Sequence, residues 1–246
     1  MRYYGADLHI HTALSACGAN EMTPIAICER AAEMGLSLIA ITDHNSCENA
    51  EAVIQAGREF GVTVMPGMEV ETEEEVHVLC VFEESQKAKR LQEWVHAALP
   101  WIALDEKRLG QQIKFAPDGS QVGSIQRFLG TSCGRSISEV LPVVKEMGGV
   151  CCAAHIDRPR NSVLTQLGIV PKGLHFDCFE LVHAHSVEEM QHFASLGAAG
   201  PYVLSSDAHS LDEIRPVRMA FLMEAPTIEE ILMALNGVAG REVVFL

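Results

Sequence analysis

Along the first half of the chain, short apolar runs alternate with segments of helical periodicity, the mark of βα units wrapped around a largely parallel sheet. Residues 4–11, 38–43, 62–69 and 76–82 read as strands. Thr23-Pro24 supplies a cap and a first-turn proline for a helix that runs to Met34 and stops at Gly35. A second helix spans 48–60, and 86–109 reads as a third with Trp94, Val95, Ala98 and Ile102 on one face. Between 111 and 131 the period is lost among Pro117, Asp118, Gly119, Gly123 and Gly130, which marks an irregular excursion. Helical spacing returns after Ser136; Pro142 fits a helix only near its start, so Ser138 is the expected cap.

Further strands are expected at 150–155, 178–182 and 202–206, with helix starts at Ser186 and Thr227 and a final strand at 242–245 that closes the scaffold. No linker, repeat or low-complexity tract divides the chain, so residues 1–246 are expected to form a single domain interrupted at about 111–131. Six or seven parallel strands in 246 residues approach a barrel but fall short of the eightfold form, which needs ~250 residues.

Histidine placement carries the chemistry. In Asp7-Leu8-His9-Ile10-His11, period-two geometry sends both imidazoles to one face of a strand, where they can share an ion. Asp43 and His44 end the second strand, Glu69 the third, and His155 the very apolar run 150–154. His77 sits inside another apolar run, where an imidazole is costly unless something pairs with it. Asp207 and His209 follow the 202–206 strand, two residues apart. Strand carboxyl ends are where βα scaffolds collect functional groups. Eight nitrogen and oxygen donors without thiolate suit zinc, manganese or iron and exceed the needs of one ion, so two or three divalent ions are expected.

The segments DLHIHT, ITDHN, PGMEV, AAHIDRP and SSDAH, in that order across residues 7–209, resemble the motifs of the PHP (polymerase and histidinol phosphatase) family of metal-dependent phosphoesterases. That resemblance implies an α/β fold, a distorted (β/α)7 barrel with metals at the carboxyl ends of its strands. It implies a bridging Glu69, with His9, His11 and Asp207 completing one site and His77 and His155 the other. The third site of trinuclear relatives maps onto His44 and His209, and the position of its remaining histidine falls on Cys17.

Two ions about 3.5–4 Å apart can share a hydroxide and clamp a phosphoryl group, which makes hydrolysis of a small phosphomonoester or short phosphodiester the expected activity. Asp43 is the candidate for orienting ligand histidines, and His44 or His209 for assisting the leaving oxygen. Arg158, with Arg135 as a second candidate, is placed to hold phosphate, and His183 to line the substrate pocket. Three alternatives stay open: a histidinol-phosphate phosphatase, an amidohydrolase-type enzyme cleaving a C–N bond, and a non-catalytic metal-binding module.

Thirty-three acidic against 18 basic residues give a net charge of −15, from which long duplex nucleic acid is excluded as a partner. Eight cysteines scattered through apolar runs without CxxC pairing, and no apolar run long enough to span a bilayer, lead to a cytoplasmic location without membrane association.

Overall fold

The expected strands all form, and their burial explains why. In the computed structural model, which describes residues 1–246, β1 (Arg2–Ile10) is buried from Ala6 onward. After α1 (Pro24–Glu33), β2 (Leu38–Ile41) is buried at every position. Helix α2 (Ala50–Phe60) leads into β3 (Thr63–Glu71), and β4 (His77–Val81) is again wholly buried. Helices α3 (Ser85–His96) and α4 (Glu106–Leu109) precede a small hairpin of β5 (Ile113–Phe115) and β6 (Gln121–Ser124). The chain continues through α5 (Ile137–Glu146), β7 (Val150–Ala153), α6 (Val163–Leu167), β8 (Cys178–Leu181), α7 (Val187–Ser195) and β9 (Tyr202–Leu204). It ends with β10 (Met219–Met223), α8 (Ile228–Leu235) and β11 (Glu242–Phe245). No helix is long and apolar enough to cross a membrane.

The main sheet runs β11-β10-β1-β2-β3-β4-β7-β8-β9. Its seven strands from β1 to β9 curl until the segment after β9 reaches β1 again: Ile10 pairs with Ala208, and the His11 N–H donates to the Ala208 carbonyl at 3.0 Å. The result is the nearly closed, distorted seven-stranded barrel that the resemblance implied. This closing bridge also brings His9, His11, Asp207 and His209 to one rim.

Several features depart from the sequence reading. Strand β4 pairs antiparallel with both β3 and β7, so its amino end, not its carboxyl end, lies at the rim, and His77 reaches the rim as the first residue of the strand. An apolar run carries no sign of direction, which is why the reversal was illegible. The helix expected over 86–109 ends at His96, ahead of Pro100, and resumes only as the short α4. Ser136, not Ser138, caps α5 through a capping box with Glu139, which leaves Pro142 inside the helix on its exposed side. Strand β11 does not close the barrel; it pairs antiparallel with β10, which itself extends the sheet outward from β1. The stretch at 111–131 carries the separate β5–β6 hairpin.

Gly67, two residues before Glu69, permits β3 to lie tight against its neighbours. A Cβ there would sit 2.7 Å from the Cys80 carbonyl oxygen and 3.2 Å from Thr42 Cγ2. Alanine normally gains about 0.5–1 kcal/mol over glycine in a strand, but a backbone oxygen at that distance cannot yield cheaply. Gly67→Ala is therefore expected to lower stability in urea unfolding by about 1–3 kcal/mol, the usual cost of overpacking; an unchanged or raised midpoint would show that β3 has room there.

Candidate metal centre

Glu69 is the hub of the rim. Backbone pairing fixes it: its N–H donates to the Asp43 carbonyl at 3.0 Å, and its own carbonyl accepts the Asn45 N–H at 2.9 Å. Its carboxylate is 1% exposed, yet five imidazoles reach it. Oε1 lies 2.8 Å from His77 Nδ1, 3.0 Å from His155 Nε2 and 3.4 Å from His9 Nε2. Oε2 lies 2.9 Å from His44 Nδ1 and 3.5 Å from His11 Nε2. Asp207 Oδ1 stands 3.2 Å from the Nε2 atoms of both His9 and His11. The structure thus brings together every histidine, aspartate and glutamate that the sequence assigned to the metal set.

Proton bookkeeping fixes which ring nitrogens face inward. Asp43, a carboxylate that can only accept, receives the Thr12 N–H at 2.8 Å, the Thr12 hydroxyl at 2.7 Å and the Ser15 hydroxyl at 2.7 Å. Having donated to Asp43, Ser15 Oγ must accept from His11 Nδ1, 2.9 Å away. On the other ring, His9 donates from Nδ1 to Glu180, 2.9 Å from Oε2 and 3.2 Å from Oε1. Both imidazoles therefore turn Nε2 inward, and these two atoms face each other at 3.1 Å. Two bare lone pairs at that separation would repel, so the gap takes a proton or a metal ion between the rings.

The carboxylates set the charge on the rings. Burial alone would depress His9, but Asp207, Glu180 and Glu69 overcome it and hold its pKa well above the ordinary value. Burial and the neighbouring His209 and His44 hold His11 well below its own. Burial would raise Glu69; the surrounding His77, His9 and His44 instead keep it well below the carboxylate range. Glu69 Oε2, His44 Nδ1, His155 Nδ1 and Asp207 Oδ1 are buried without a hydrogen-bond partner. Orphaned lone pairs of this kind, on nitrogen and carboxylate oxygen, fit divalent metal ions. Three groups have ligand atoms within 4.8 Å of one another: His9, His11 and Glu69; His44, Glu69 and His77; and His11, His44 and His209.

The backbone is strained where the ligands turn inward. Asn45, His155 and Asp207 have φ of 47°, 29° and 52°, each costing about 1–3 kcal/mol for a residue with a side chain.

Sequence reasoning missed Glu180. It is 0% exposed on β8, holds His9, and also accepts the His155 N–H at 2.9 Å, so one carboxylate positions a ligand of each pair. Its signal was an acidic residue in an otherwise apolar strand. Asp43 reaches His11 only through Ser15. Cys17 lies beside His209 and His44; partial withdrawal from water raises its thiol, but those contacts outweigh it and bring the pKa down to about 6.

Of the phosphate candidates, Arg158 pairs through Nη1 with Asp207 and lines a cavity of ≈370 Å³ together with His183, Ser206, Arg215 and Arg218. Arg135 is a correction: it stacks on Trp94 at 4.5 Å and pairs with Glu139 at 3.7 Å, engaged away from the histidines. His183 and His185 are tethered to Asp157, at 3.3 and 3.0 Å, outside the ligand cluster.

Glu69→Gln is expected to abolish binding of at least two divalent ions as read by elemental analysis, whereas His183→Ala keeps the full complement; equal loss in both would overturn this assignment. Zinc or manganese at 100-fold excess over Kd should stabilise the wild-type protein by about 2.7 kcal/mol and leave Glu69→Gln nearly unmoved. A wild-type melting temperature indifferent to metal and chelator would contradict the fit.

Comparison with known proteins agrees with this geometry. The Bacillus subtilis protein YqxK is 26% identical over 275 residues, which cover 99% of this chain and 65% of that protein. The lesion-specific endonuclease PfuEndoQ of Pyrococcus furiosus shares the fold with a TM-score of 0.66 at 22% identity, over 98% of this chain and 58% of its own. The chain therefore spans less than two thirds of either protein. A putative metal-dependent phosphoesterase of Bifidobacterium adolescentis matches with a TM-score of 0.57 at 21% identity, over 84% of this chain and 88% of its own. One comparison corrects the charge argument: Endonuclease Q, matching 98% of this chain at 22% identity with a TM-score of 0.67, was solved with a 27-mer duplex bearing an abasic lesion at its active site. The exclusion of long duplex nucleic acid does not stand, because a net charge sums the whole surface while a phosphate meets only the local field, here one containing three arginines. Residues 7–161 match the PHP domain; the chain belongs to the PHP domain family.

Proposed function

We propose that this protein is a metal-dependent hydrolase of phosphate esters, with residues 1–246 acting as one PHP-type unit. The observation that supports it most is the junction of two features: a buried histidine–carboxylate cluster with orphaned lone pairs, and a cavity beside it walled by Arg158, Arg215 and Arg218. His9, His11, Glu69 and Asp207 would hold one ion, and Glu69, His77 and His155 a second. Divalent ions, zinc, manganese or iron, supply Lewis acidity and a water of lowered pKa when bound.

The chain's own residues do the rest. Glu180 and the Asp43–Ser15 pair lock the His9 and His11 rings so that Nε2 of each faces inward. Arg218 is fastened to the ends of β8 and β9, donating to the Val182 carbonyl at 2.9 Å and the Ser205 carbonyl at 2.7 Å, which makes it a fixed positive wall. With Asp207 committed to the metal set, Arg158 turns its fork to the cavity and holds phosphate oxygens there. His209, whose Nδ1 donates to the Asp207 carbonyl at 2.9 Å, keeps Nε2 for a third ion or for the leaving oxygen.

The substrate proposed is a small phosphomonoester or short phosphodiester. Endonuclease Q, described as acting at lesions, makes damaged duplex DNA the second reading, supported by its match over 98% of this chain. Free thiols at all eight cysteines support a reducing, cytoplasmic compartment as part of the same proposal.

Metal-loaded protein assayed against phosphomonoesters, phosphodiesters, an abasic duplex and an amide panel should turn over a phosphoester; cleavage of amides alone, or of nothing, would contradict the proposal. Arg158→Ala should raise KM for that substrate about 10–100-fold, the worth of a charge-assisted hydrogen bond, with metal content unchanged. An unaltered KM would remove Arg158 from the substrate site.

A further inference from the structure

We propose that the ester hydrolysed here carries a compact apolar group, that of an arylalkyl alcohol, seated in a second cavity beside the arginine-walled one; this rests on the reading of the protein as a phosphoesterase. The second cavity, of ≈280 Å³, is lined by Leu181, Met190, Leu204, Phe245 and Leu246. His183 and Ala184 line both cavities, so the two share one wall at the turn after β8. Ala184 adds only a methyl group to that wall.

Arg218 ties the two cavities together. Its guanidinium lines the first, fastened to the Val182 and Ser205 carbonyls, and its own carbonyl accepts the Leu246 N–H at 2.8 Å beside the second. Met219 pairs with Phe245 across the β10–β11 hairpin, and its sulfur accepts the Leu204 N–H at 3.2 Å, so the hairpin is held against the end of β9. Strand β11 thus leaves the barrel unclosed, but its end walls a cavity. Phe245 and Leu246 remain 55% and 73% exposed, apolar surface that the core does not use and an apolar ligand would cover.

The lining selects the kind of group. A dry apolar cavity of about 150 Å³ is enough to hold benzene, so ≈280 Å³ accommodates one ring with its linker or two fused rings. His183 and His185 supply the polar side chains of the wall, and Asp157 holds both, at 3.3 Å from His183 Nδ1 and 3.0 Å from His185 Nε2. His185 Nδ1 lies 3.4 Å from Glu189, which leaves a single ring nitrogen uncommitted between the two histidines. A sugar or nucleoside would give up several hydrogen bonds to water for at most one from these side chains. An aryl group gives up none and gains its burial.

Metal-loaded protein assayed on the ethyl, glycerol, phenethyl and naphthylethyl esters of phosphate, each as monoester and as methyl diester, tests this. The leaving groups are all alkoxides, so the comparison reports recognition more than bond reactivity. The arylalkyl esters should exceed the ethyl ester in kcat/KM by about 10–100-fold, the worth of burying one such group, and the glycerol ester should gain nothing. Phe245→Asp, which charges the cavity, and Ala184→Phe, which fills the shared wall, should each remove most of that preference; both positions are exposed, so the core is undisturbed. Calorimetry with phenethylphosphonate, which is not hydrolysed, should show a negative heat-capacity change that ethylphosphonate lacks and that Phe245→Asp diminishes. Equal turnover of ethyl and arylalkyl esters, or a preference untouched by both substitutions, would overturn the apolar subsite alone. Failure to hydrolyse any phosphoester would overturn the reading on which it rests.

Discussion

A carboxylate buried among five imidazoles is the constraint on which the rest of this structure depends. Removing Glu69 from water is costly unless positive charge surrounds it, and removing five rings with it multiplies the cost unless each finds a partner. The barrel meets that demand by geometry. β1, β2 and β3 bring His9, His11, His44 and Glu69 up from below, β7 brings His155, and the reversed β4 brings His77 by its amino end. The turn of chain after β9 closes the rim with Asp207 and His209 while pairing Ala208 to β1. Local strain at Asn45, His155 and Asp207 is tolerated because the backbone there serves the ligand directions rather than its own preference.

Around this centre lies a layer of residues that touch the ligands rather than any ion. Glu180 and the Thr12–Ser15–Asp43 group each take the outward nitrogen of a β1 histidine, and so determine which nitrogen faces in. Beyond them Arg158, Arg215 and Arg218 share the cavity wall with Glu213, so basic side chains outnumber acidic ones there in an otherwise acidic protein. A net charge of −15, summed over the whole surface, therefore gives no ground for excluding a nucleic-acid partner.

Much of this was legible before any coordinates. The period-two pair His9 and His11, the apolar runs ending in Asp43, Glu69 and His155, and the Asp207–His209 pair are all local patterns, and the structure gathers them at one rim. What escaped depended on distance or direction. Glu180 meets His9 across 171 residues, and within 178–182 it is a single acid in an apolar strand. The reversal of β4 leaves no trace in Val78, Leu79 and Cys80, which read alike in either direction. Strand β10 was missed, and Arg135, the second phosphate candidate, packs on Trp94 and pairs with Glu139, contacts no local pattern announces. Pairings that form between remote segments do not print a period in the sequence.

The central claim is that Glu69 shares its two oxygens between metal ions held by the surrounding histidines. Anomalous diffraction from crystals grown with zinc or manganese tests it most directly. Two strong peaks flanking Glu69, one toward His9, His11 and Asp207 and the other toward His77 and His155, are the expected result. A metal-saturated crystal whose anomalous density leaves this cluster empty would contradict the account.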